Sequence, residues 1–460
     1  MGWADEELGG ADMGDERVSR RRVRLAEDLS ANPTASIPQA CQGWAETKAA
    51  YRFFAREQLD GRAILQPHWE RTEARMRACP RVLCPQDSTE LDFTTQPGIE
   101  GLGRLSYECQ QGMYLHPTLA FTPEGVMLGT LDAWMWKREP KGEASFKERR
   151  RWVEGYERVA EIAAEMPATR PVYMADREGD IRALMDRAAE LGHPADWLIR
   201  CLHNRTLVDG GKLWAELEQA PVLGQVQFTL PRDGARKART VVQPLRLARF
   251  ELPPHGGTPL QVTAILAREE QPPEGERPVE WRLLTNEALT TLEQCAERID
   301  GYRRRWLAEG FFRILKSGCR VEALQLGTRE RLERALALYL IVGWRILALV
   351  TLGRECPQLS CEGVFAPEEW QAAWIVARRE RPPSTPPTLG QMTRIVAGFG
   401  GFLGRKGDGH PGPKALWAGM QKLMDYVESI HSLREAFDLE FTDLKIPRLR
   451  QPHERAVPAA

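Results

Sequence analysis

The sequence predicts an α/β fold in which helices flank a mixed β-sheet. Residues 81–84 and 171–175 are short apolar runs with the character of buried strands, and residues 181–190 follow the second run with helical spacing. Residues 112–136 hold two β-rich apolar runs around the sequence Thr-Pro-Glu-Gly, in which proline and glycine occupy favoured turn positions. These three observations place strands before helices along the chain, as in α/β proteins.

More strand-like sequence follows in the middle of the chain. Four segments alternate apolar and polar residues or are rich in β-branched ones: 197–202, 225–230, 240–252 and 260–267. They predict a β-rich subdomain inserted at about residues 201–285. Its basic residues, among them Arg236, Lys237 and Arg239, could follow a DNA backbone, although an ordinary charged β-surface is equally compatible with the charge alone.

The composition indicates a globular protein of two or three domains. With 460 residues, of which 42% are hydrophobic, the chain can bury a sizeable core.

Nine cysteines, an odd number, favour free thiols in a reducing cytoplasm over a secreted disulfide framework, and no secretory signal is visible. The membrane-like segment 335–352 contains Arg345, which favours a buried core helix over a membrane span. We therefore expect a cytoplasmic protein without a membrane partner.

Residues 1–75 are predicted to form a small helical domain. Asp15 can cap a helix over residues 17–31, and residues 46–56 form a second short helix. The formal net charge of −1 gives no basic excess over the whole chain, so any nucleic-acid contact must come from local patches. Basic residues of the two helices could bond the phosphates and base edges of a DNA end, although a solubilising surface is as compatible with the charge. These residues are Arg17, Arg20, Arg21, Arg22, Arg24, Lys48 and Arg52.

A stripe of polar side chains near residue 300 has an unusual composition. At about 100° per residue, its five members project within roughly 80° of one another on a helix whose opposite side is apolar. The stripe thus holds one carboxylate among a phenol and three cations. The wet side of an ordinary amphipathic helix is the default explanation, but two acidic motifs upstream favour a functional one. The members are Tyr302, Arg305, Glu309, Arg313 and Lys316.

Two aspartates follow predicted strands, at the sheet edge where α/β proteins gather ligand-binding groups. Asp87 lies just beyond the strand at 81–84, and Asp176 directly follows the strand at 171–175. Asp92 is an alternative to Asp87 if the first strand runs further. Together with Glu309, two such aspartates could hold a pair of hard divalent cations, which favour oxygen ligands and can clamp both oxygens of a phosphodiester displacement.

These motifs resemble those of the bacterial cut-and-paste DDE transposases of the insertion-sequence-four family. The resemblance rests on the spacing of Tyr302, Arg305, Glu309 and Lys316, on Asp-Arg-Glu-Gly-Asp at 176–180, and on Asp-Ser-Thr at 87–89. It extends to sequence near both termini and covers nearly the whole chain. The resemblance implies a ribonuclease-H-like catalytic domain at residues 76–365, which contains the β-rich insertion, followed by a C-terminal helical dimerisation domain at residues 366–460.

The resemblance also implies a reaction, its cofactors and its partners. Asp87, Asp176 and Glu309 would hold two Mg²⁺ ions, for which Mn²⁺ would substitute. Tyr302, Arg305 and Lys316 would bind a terminal phosphate with help from Arg313, and Trp281 would stack on a base turned out of the duplex. Glu178 and Asp180 would only support the site.

The expected protein is a homodimer associated with the nucleoid when bound to double-stranded DNA. It would bind the terminal inverted repeats of a transposable element, cleave them through a hairpin intermediate, and join the ends to target DNA. Two alternatives remain at this point. One is a catalytically silent transposase that acts as a DNA-binding repressor, and the other is a ribonuclease-H-like nuclease without strand transfer.

Overall fold

The computed structural model describes residues 2–10, 13–138, 144–230, 238–255 and 258–437, with the backbone alone for residues 144–148. Arg236 and Lys237, which we expected to contact DNA, lie outside these ranges. The helices of the described residues are α1 (Trp3–Leu8), α2 (Glu16–Ala31), α3 (Ile37–Ala40), α4 (Trp44–Phe54), α5 (Gly61–Met76), α6 (Ala144–Ala164), α7 (Arg182–Glu190), α8 (Leu213–Gln219), α9 (Leu292–Arg304), α10 (Leu307–Arg313), α11 (Arg329–Glu355), α12 (Pro367–Arg378), α13 (Leu389–Phe399) and α14 (Pro413–Phe437).

The strands of the described residues form one mixed sheet. They are β1 (Arg81–Pro85), β2 (Thr89–Asp92), β3 (Gly103–Arg104), β4 (Gln111–Phe121), β5 (Met127–Trp136), β6 (Arg170–Ala175), β7 (Asp196–Arg200), β8 (Val222–Leu230), β9 (Arg239–Leu252), β10 (Leu260–Arg268) and β11 (Glu280–Thr285). The order across the sheet is β2-β4-β1-β6-β7-β11-β10-β9-β8, and β3 and β5 also pair with β4. β1, β6 and β7 are parallel, whereas the other described pairs are antiparallel. The predicted mixed α/β architecture is therefore confirmed.

The strands of the predicted insertion extend the main sheet. β11 pairs with β7 through Thr285 opposite Leu198, and β10, β9 and β8 continue from it in antiparallel order. Both faces of the sheet near β7 are covered, because alternate side chains enter two separate apolar clusters: Leu198 enters one and Trp197 the other. The insertion and the acid-bearing strands thus share one continuous platform.

Local sequence signals explain the ends of several elements. Asp15 caps α2 as predicted, since its carboxylate accepts a hydrogen bond from the Arg17 backbone N–H at 2.9 Å. The predicted turn between β4 and β5 closes through the Gly125 N–H, which donates to the Thr122 carbonyl at 2.9 Å. Gly125 has φ +100°, a conformation that side chains other than hydrogen disfavour. The hairpin that flanks β1 is therefore specified by its own turn sequence.

The long helix α11 lies at the centre of the molecule. It is long and apolar enough to cross a membrane, but 89% of its most apolar window is buried inside the protein, so the predicted core helix is confirmed. Arg345 on this helix donates to the Ser30 hydroxyl of α2 at 3.0 Å and to Glu369 of α12 at 3.2 Å. Its guanidinium also lies 4.5 Å from the ring of Trp3. One buried arginine thus joins the N-terminal helices to the C-terminal ones.

The packing of α13 on α14 depends on a glycine without a side chain. A Cβ atom on Gly419 of α14 would lie 1.9 Å from the Val396 carbonyl oxygen of α13. We expect Gly419→Ala to force the two helices apart and to lower the free energy of unfolding by about 1 to 3 kcal/mol. Gly398 is a matched control, since a Cβ there meets no atom within 4 Å. Gly398→Ala should stabilise by about 0.5 to 1 kcal/mol in denaturant titrations, and equal effects of the two substitutions would refute this account.

Candidate active site

Two aspartates emerge side by side from neighbouring parallel strands. β1 runs parallel to β6 with Pro85 opposite Met174, so Asp87 and Asp176 both lie just beyond the same edge of the sheet. Asp87 is only 8% exposed, and its carboxylate accepts the Ser88 N–H at 2.9 Å. Asp176 is half-buried and accepts the Glu178 N–H at 2.8 Å, which begins a short 3₁₀ turn. The predicted positions at strand ends are those observed.

The helix that carries Glu309 is not continuous, which corrects the predicted 80° stripe. Arg305 and Ala308 donate their N–H groups to carbonyls three residues earlier, Tyr302 at 3.1 Å and Arg305 at 2.9 Å, so one tighter turn separates α9 from α10. After α10, residues Ile314–Gly318 widen into a π-helix that ends with the Cys319 N–H bonded to the Ile314 carbonyl at 2.7 Å. Both distortions change the angle between successive side chains, so regular helical geometry does not describe this segment.

The tighter turn places the guanidinium of Arg305 against the carboxylate of Asp87. Arg305 is 7% exposed and donates from Nη1 to Oδ2 of Asp87. Glu309, by contrast, is exposed in the first turn of α10. Phe311, Ile314 and Leu315 are buried on the other side of the segment, as the apolar pattern predicted. The apolar contacts hold the segment in place while Arg305 and Glu309 face the strand ends.

The three acids are electrostatically coupled. Burial raises the pKa of Asp87 to about 6, the Arg305 guanidinium opposes this rise, and the negative charges of Asp176 and Glu309 add to it. Like charges influence one another in this way only when they lie close together. The charges of Asp176 and Glu309 therefore reach Asp87, and the pKa of Asp87 lies above that of an ordinary aspartate.

Asp92, the alternative first acid, has a different environment. Its carboxylate accepts hydrogen bonds from the Thr94 N–H at 2.9 Å and from Gln110 Nε2 at 3.0 Å. The charges with the largest influence on the pKa of Asp87 belong to Arg305, Asp176 and Glu309. The geometry thus favours Asp87 as the first acid, as expected.

The raised pKa of Asp87 makes a prediction about stability. Between about pH 4 and pH 6, the folded protein retains a proton that the unfolded chain releases, so the free energy of unfolding falls as the pH rises through this window. Without divalent cations, the stability of Asp87→Asn relative to the wild type should rise by up to about 3 kcal/mol between pH 4 and pH 7. This rise adds to a loss, independent of pH in this range, from leaving the buried Arg305 guanidinium without its partner. Asp300→Asn, at an exposed aspartate of α9, is the control. A stability difference between Asp87→Asn and the wild type that stays the same from pH 4 to pH 7 in chemical denaturation would contradict the coupling.

Three carboxylates are the donor set that a hard divalent cation prefers. Within the ranges that the structure describes, however, no three His, Cys, Asp or Glu side chains lie in an arrangement that would hold a metal ion. Arg305 instead bonds a carboxylate oxygen of Asp87. In this arrangement the guanidinium supplies part of the charge neutralisation that a bound cation would otherwise give.

The residues expected to grip a phosphate differ in their accessibility. Tyr302 is 1% exposed, and burial raises the pKa of its phenol despite the nearby charges of Arg305 and Arg200. Lys316 is half-buried with its ammonium 3.7 Å from a Glu322 carboxylate oxygen, and Arg313 is exposed. Lys316 and Arg313 can therefore meet DNA directly. Tyr302 and Arg305 can do so only after a rearrangement of the site.

Trp281, expected to stack on a base, is 8% exposed in β11. Its ring stacks on Phe228 with centroids 5.4 Å apart and planes inclined by 26°, and the Arg303 guanidinium lies 4.2 Å from the Phe228 ring. A base could reach this face of Trp281 only by displacing Phe228.

The sequence reasoning did not single out Trp306, which is 62% exposed directly beside Arg305. The sequence signal for Trp306 was its place in a polar stretch, because burial in an apolar core does not explain a tryptophan there.

A second missed residue lies at the end of the third parallel strand. Arg200 ends β7, whose Ile199 is opposite Ala175, the residue before Asp176. Burial lowers the pKa of Arg200, and the charges of Tyr302, Arg177, Arg305 and Asp176 all act on it. The signal was available, since Arg200 is the one charged residue within the otherwise apolar predicted strand 197–202.

Asp180 has a structural role, in line with its expected supporting place. It is buried and accepts the N–H groups of Leu202 and His203 at 2.7 and 2.8 Å. Arg205 completes the arrangement with an ion pair of 2.6 Å. All these partners belong to the loop that follows β7, so the carboxylate of Asp180 fixes this loop beside the acids.

The basic patch on α2 is smaller than the sequence predicted. Arg17, Arg20 and Arg24 are exposed, although Arg20 pairs with Glu16 at 3.1 Å and Arg24 with Asp28 at 3.0 Å. Arg21 pairs with Glu46 of α4. Arg22 is fully buried and donates to the Leu8 carbonyl at 2.6 Å, which corrects its inclusion in the patch, and burial lowers its pKa to about 10.

Helix α4 presents a mixed aromatic and basic face. Lys48 and Arg52 are exposed as expected, one turn apart. Trp44 is 80% exposed and Tyr51 is 38% exposed, and both share that face at helical spacing. This face combines cations for phosphates with aromatic rings for apolar contact to a DNA end.

In the β-rich region Arg239 instead forms ion pairs with Glu269 and Glu276, which makes it an internal contact of the fold.

Comparison with known proteins identifies the two ends of the chain. Residues 1–59 match the family model described as transposase DNA-binding, and residues 341–438 match the model described as the transposase Tn5 dimerisation domain. The family resemblance drawn from the motifs is thereby confirmed at both ends. A cryo-EM structure of a piggyBac transposase synaptic complex with hairpin DNA is 8% identical over 76% of this chain and 71% of that one. Its TM-score of 0.36 does not establish a common fold.

Proposed function

We propose that this chain, a DNA transposase with the DNA-binding and Tn5-type dimerisation domains of that class, cleaves and joins DNA at the sheet edge formed by Asp87 and Asp176. One observation carries the proposal: Asp176 and Glu309, distant in sequence, both act on the buried Asp87. The Arg305 guanidinium offsets only part of this negative charge, and a cluster of like charges at strand ends suits the binding of a cation and a substrate.

Asp87, Asp176 and Glu309 would hold the divalent cations, Mg²⁺ or Mn²⁺. When bound, such ions would activate water and stabilise the leaving oxygen of an in-line displacement. The donor set supports this assignment, because a dication relieves the repulsion that raises the pKa of Asp87. Arg305 neutralises Asp87 in the DNA-free protein, and its guanidinium would turn to a DNA phosphate once a cation takes its place.

The remaining side chains bind and orient the DNA. Arg313 and Lys316 would hold the terminal phosphate, with Tyr302 as a later partner. Arg200 would add positive charge beside Asp176. The exposed faces of α2 and α4 would bind the end of the element, and the α13 and α14 region would contact a second copy of the chain, as the matched domains suggest.

We also assign the sheet to the ribonuclease-H-like class and keep the proposed limits 1–75, 76–365 and 366–460. Support comes from the neighbouring order β5-β4-β1-β6-β7, with two parallel pairs at its acid-bearing end.

The proposed reaction begins with hydrolysis at the element boundary, which frees a 3′-hydroxyl. This hydroxyl forms a hairpin on the opposite strand, water reopens the hairpin, and the ends join target DNA.

The decisive experiment measures the joining of a donor end to a second DNA. The donor is a duplex that carries the inverted repeat bounding the coding region, the target is a supercoiled plasmid, and Mg²⁺ is present or replaced by EDTA. Metal-dependent joined product is expected. Binding without cleavage would instead support a silent repressor, and cleavage without joining would support a nuclease. Either outcome would overturn the proposal.

A further inference from the structure

A cleft of about 1030 Å³ opens directly beside the catalytic acids. Two of its lining residues, Ser88 and Arg177, immediately follow Asp87 and Asp176 in the sequence. The other walls come from β4, β5, the start of α6 and the loops after β7 and β9. Trp281, Tyr302, Arg305, Arg313 and Lys316, the residues assigned to the element end, do not line it. The cleft therefore leads away from the acids on a different side from the proposed end grip.

The cleft has a basic lining whose acids are already engaged. Five arginines line it against three carboxylates. Of the carboxylates, Asp180 pairs with Arg205, and Glu90 accepts hydrogen bonds from Ser106 and from the Tyr114 hydroxyl at 3.0 Å. Arg149 and Arg177 are exposed at the cleft. Their guanidinium groups are available for phosphates, whereas the acids are held by the fold.

One wall of the cleft is aromatic. Tyr114 and Trp136 stack with centroids 4.5 Å apart and planes inclined by 16°, and the Arg138 guanidinium lies 4.8 Å from the Tyr114 ring. Behind them, His116 meets Trp152 edge-on at 4.6 Å. Burial lowers the pKa of His116 to about 3, so this ring is uncharged near neutral pH. Aromatic faces beside cations are the combination that binds unpaired nucleic-acid strands, whose bases stack while phosphates meet arginine. Trp136 is the partly exposed ring that offers such a face here, supported by the buried rings of Tyr114, His116 and Trp152.

We propose that this cleft binds an unpaired DNA strand that leads away from the scissile phosphate. The inference rests on the proposed function, because it extends the same site to the DNA beyond the cut. The volume is slightly above that of pockets for small molecules, roughly 300 to 1,000 Å³, so the cleft can take in part of a nucleic-acid strand. The strand can come from the flanking donor DNA or from the target DNA, which present the same phosphates and bases.

The first test measures binding of a fluorescent oligothymidylate of about ten nucleotides by anisotropy at several salt concentrations. Each phosphate contact to a single strand contributes about 0.7 to the slope of log K against log salt. The variant with both Arg149→Ala and Arg177→Ala should bind at least about tenfold more weakly, with a slope smaller by about 1.4. Arg150→Ala is the matched control, since this exposed neighbour on α6 pairs with Glu154 and does not line the cleft. An unchanged slope in the double variant would overturn the proposal.

The second test uses the unaltered full-length protein, so it does not depend on how a variant folds. Photoreactive 5-iodouracil is placed in the flanking strand of a donor duplex or in the target strand, and crosslinked peptides are mapped by mass spectrometry. Crosslinks to the β4 and β5 wall from the flanking strand identify donor DNA as the ligand, and those from the target strand identify target DNA. Crosslinks from neither strand would overturn the inference. If the wild type fails to join the donor end to target DNA but binds oligothymidylate as predicted, only the proposed function is refuted.

Discussion

Glu309→Gln is expected to lower Mg²⁺-dependent strand cleavage by at least about a thousandfold, and Asp176→Asn and Asp87→Asn should do the same. An amide keeps the size of the side chain but removes the negative charge that a divalent cation requires. The variant loses several kcal/mol of metal-dependent stabilisation of the transition state. Because each factor of ten in rate corresponds to about 1.4 kcal/mol, cleavage should slow by about a thousandfold or more. Cleavage of a labelled donor duplex is measured under single-turnover conditions.

Binding separates a catalytic defect from a folding defect. The exposed basic residues of α2 and α4 lie in the matched DNA-binding domain, away from the acids, so the three amide variants should shift the donor duplex in gels as the wild type does. Glu297→Gln is the matched control because this exposed glutamate belongs to α9 and pairs with Arg298. Normal cleavage by Glu309→Gln would remove Glu309 from the site.

Arg305→Met should destabilise the DNA-free protein by about 3 to 5 kcal/mol. Removing one partner of a buried ion pair leaves the other charge without compensation, and here Asp87 would also face the charges of Asp176 and Glu309 without the guanidinium that opposes them. The pKa of Asp87 should then rise above 6. Since a raised carboxyl pKa removes stability as the pH rises through it, the loss should be larger at pH 8 than at pH 5.

A double variant distinguishes lost charge compensation from lost packing. Asp87→Asn combined with Arg305→Met removes both charges, and it should recover much of the stability that Arg305→Met loses, with a coupling energy well above the values of about 0.5 kcal/mol typical of independent sites. Arg313→Met, at an exposed position of the same segment, should change stability by less than about 0.5 kcal/mol. Additive effects at Asp87 and Arg305 in denaturant titrations would mean that the ion pair has no energetic importance.

The sequence was most informative where local chemistry decides the structure. Buried strands before Asp87 and Asp176, the cap at Asp15 and the turn at Thr122 all follow from nearest neighbours along the chain, and each was predicted. The apolar side of the segment around Glu309 was predicted for the same reason. Parallel pairing of β1 with β6 then brought the two aspartates together, which only the strand-end argument could anticipate.

Tertiary contacts decided the features that could not be predicted. Regular helical periodicity cannot reveal the tight turn at Arg305, because this turn places Arg305 against Asp87, a residue 218 positions away. Arg22 looked like one more surface arginine until the Leu8 carbonyl gave it a buried partner. Likewise, the sequence could not tell that Phe228 covers Trp281 while Trp306 stays open to solvent.

The buried path of α11 has a consequence for shortened forms of this enzyme. The helix begins between Glu309 and the C-terminal match, and Arg345 on it contacts Trp3 and Ser30 near the start of the chain. A fragment made only of the first 59 residues would therefore expose apolar surface to water that α11 covers in the whole protein. Truncated chains that bind element ends are therefore expected to be stable only when they retain this helix.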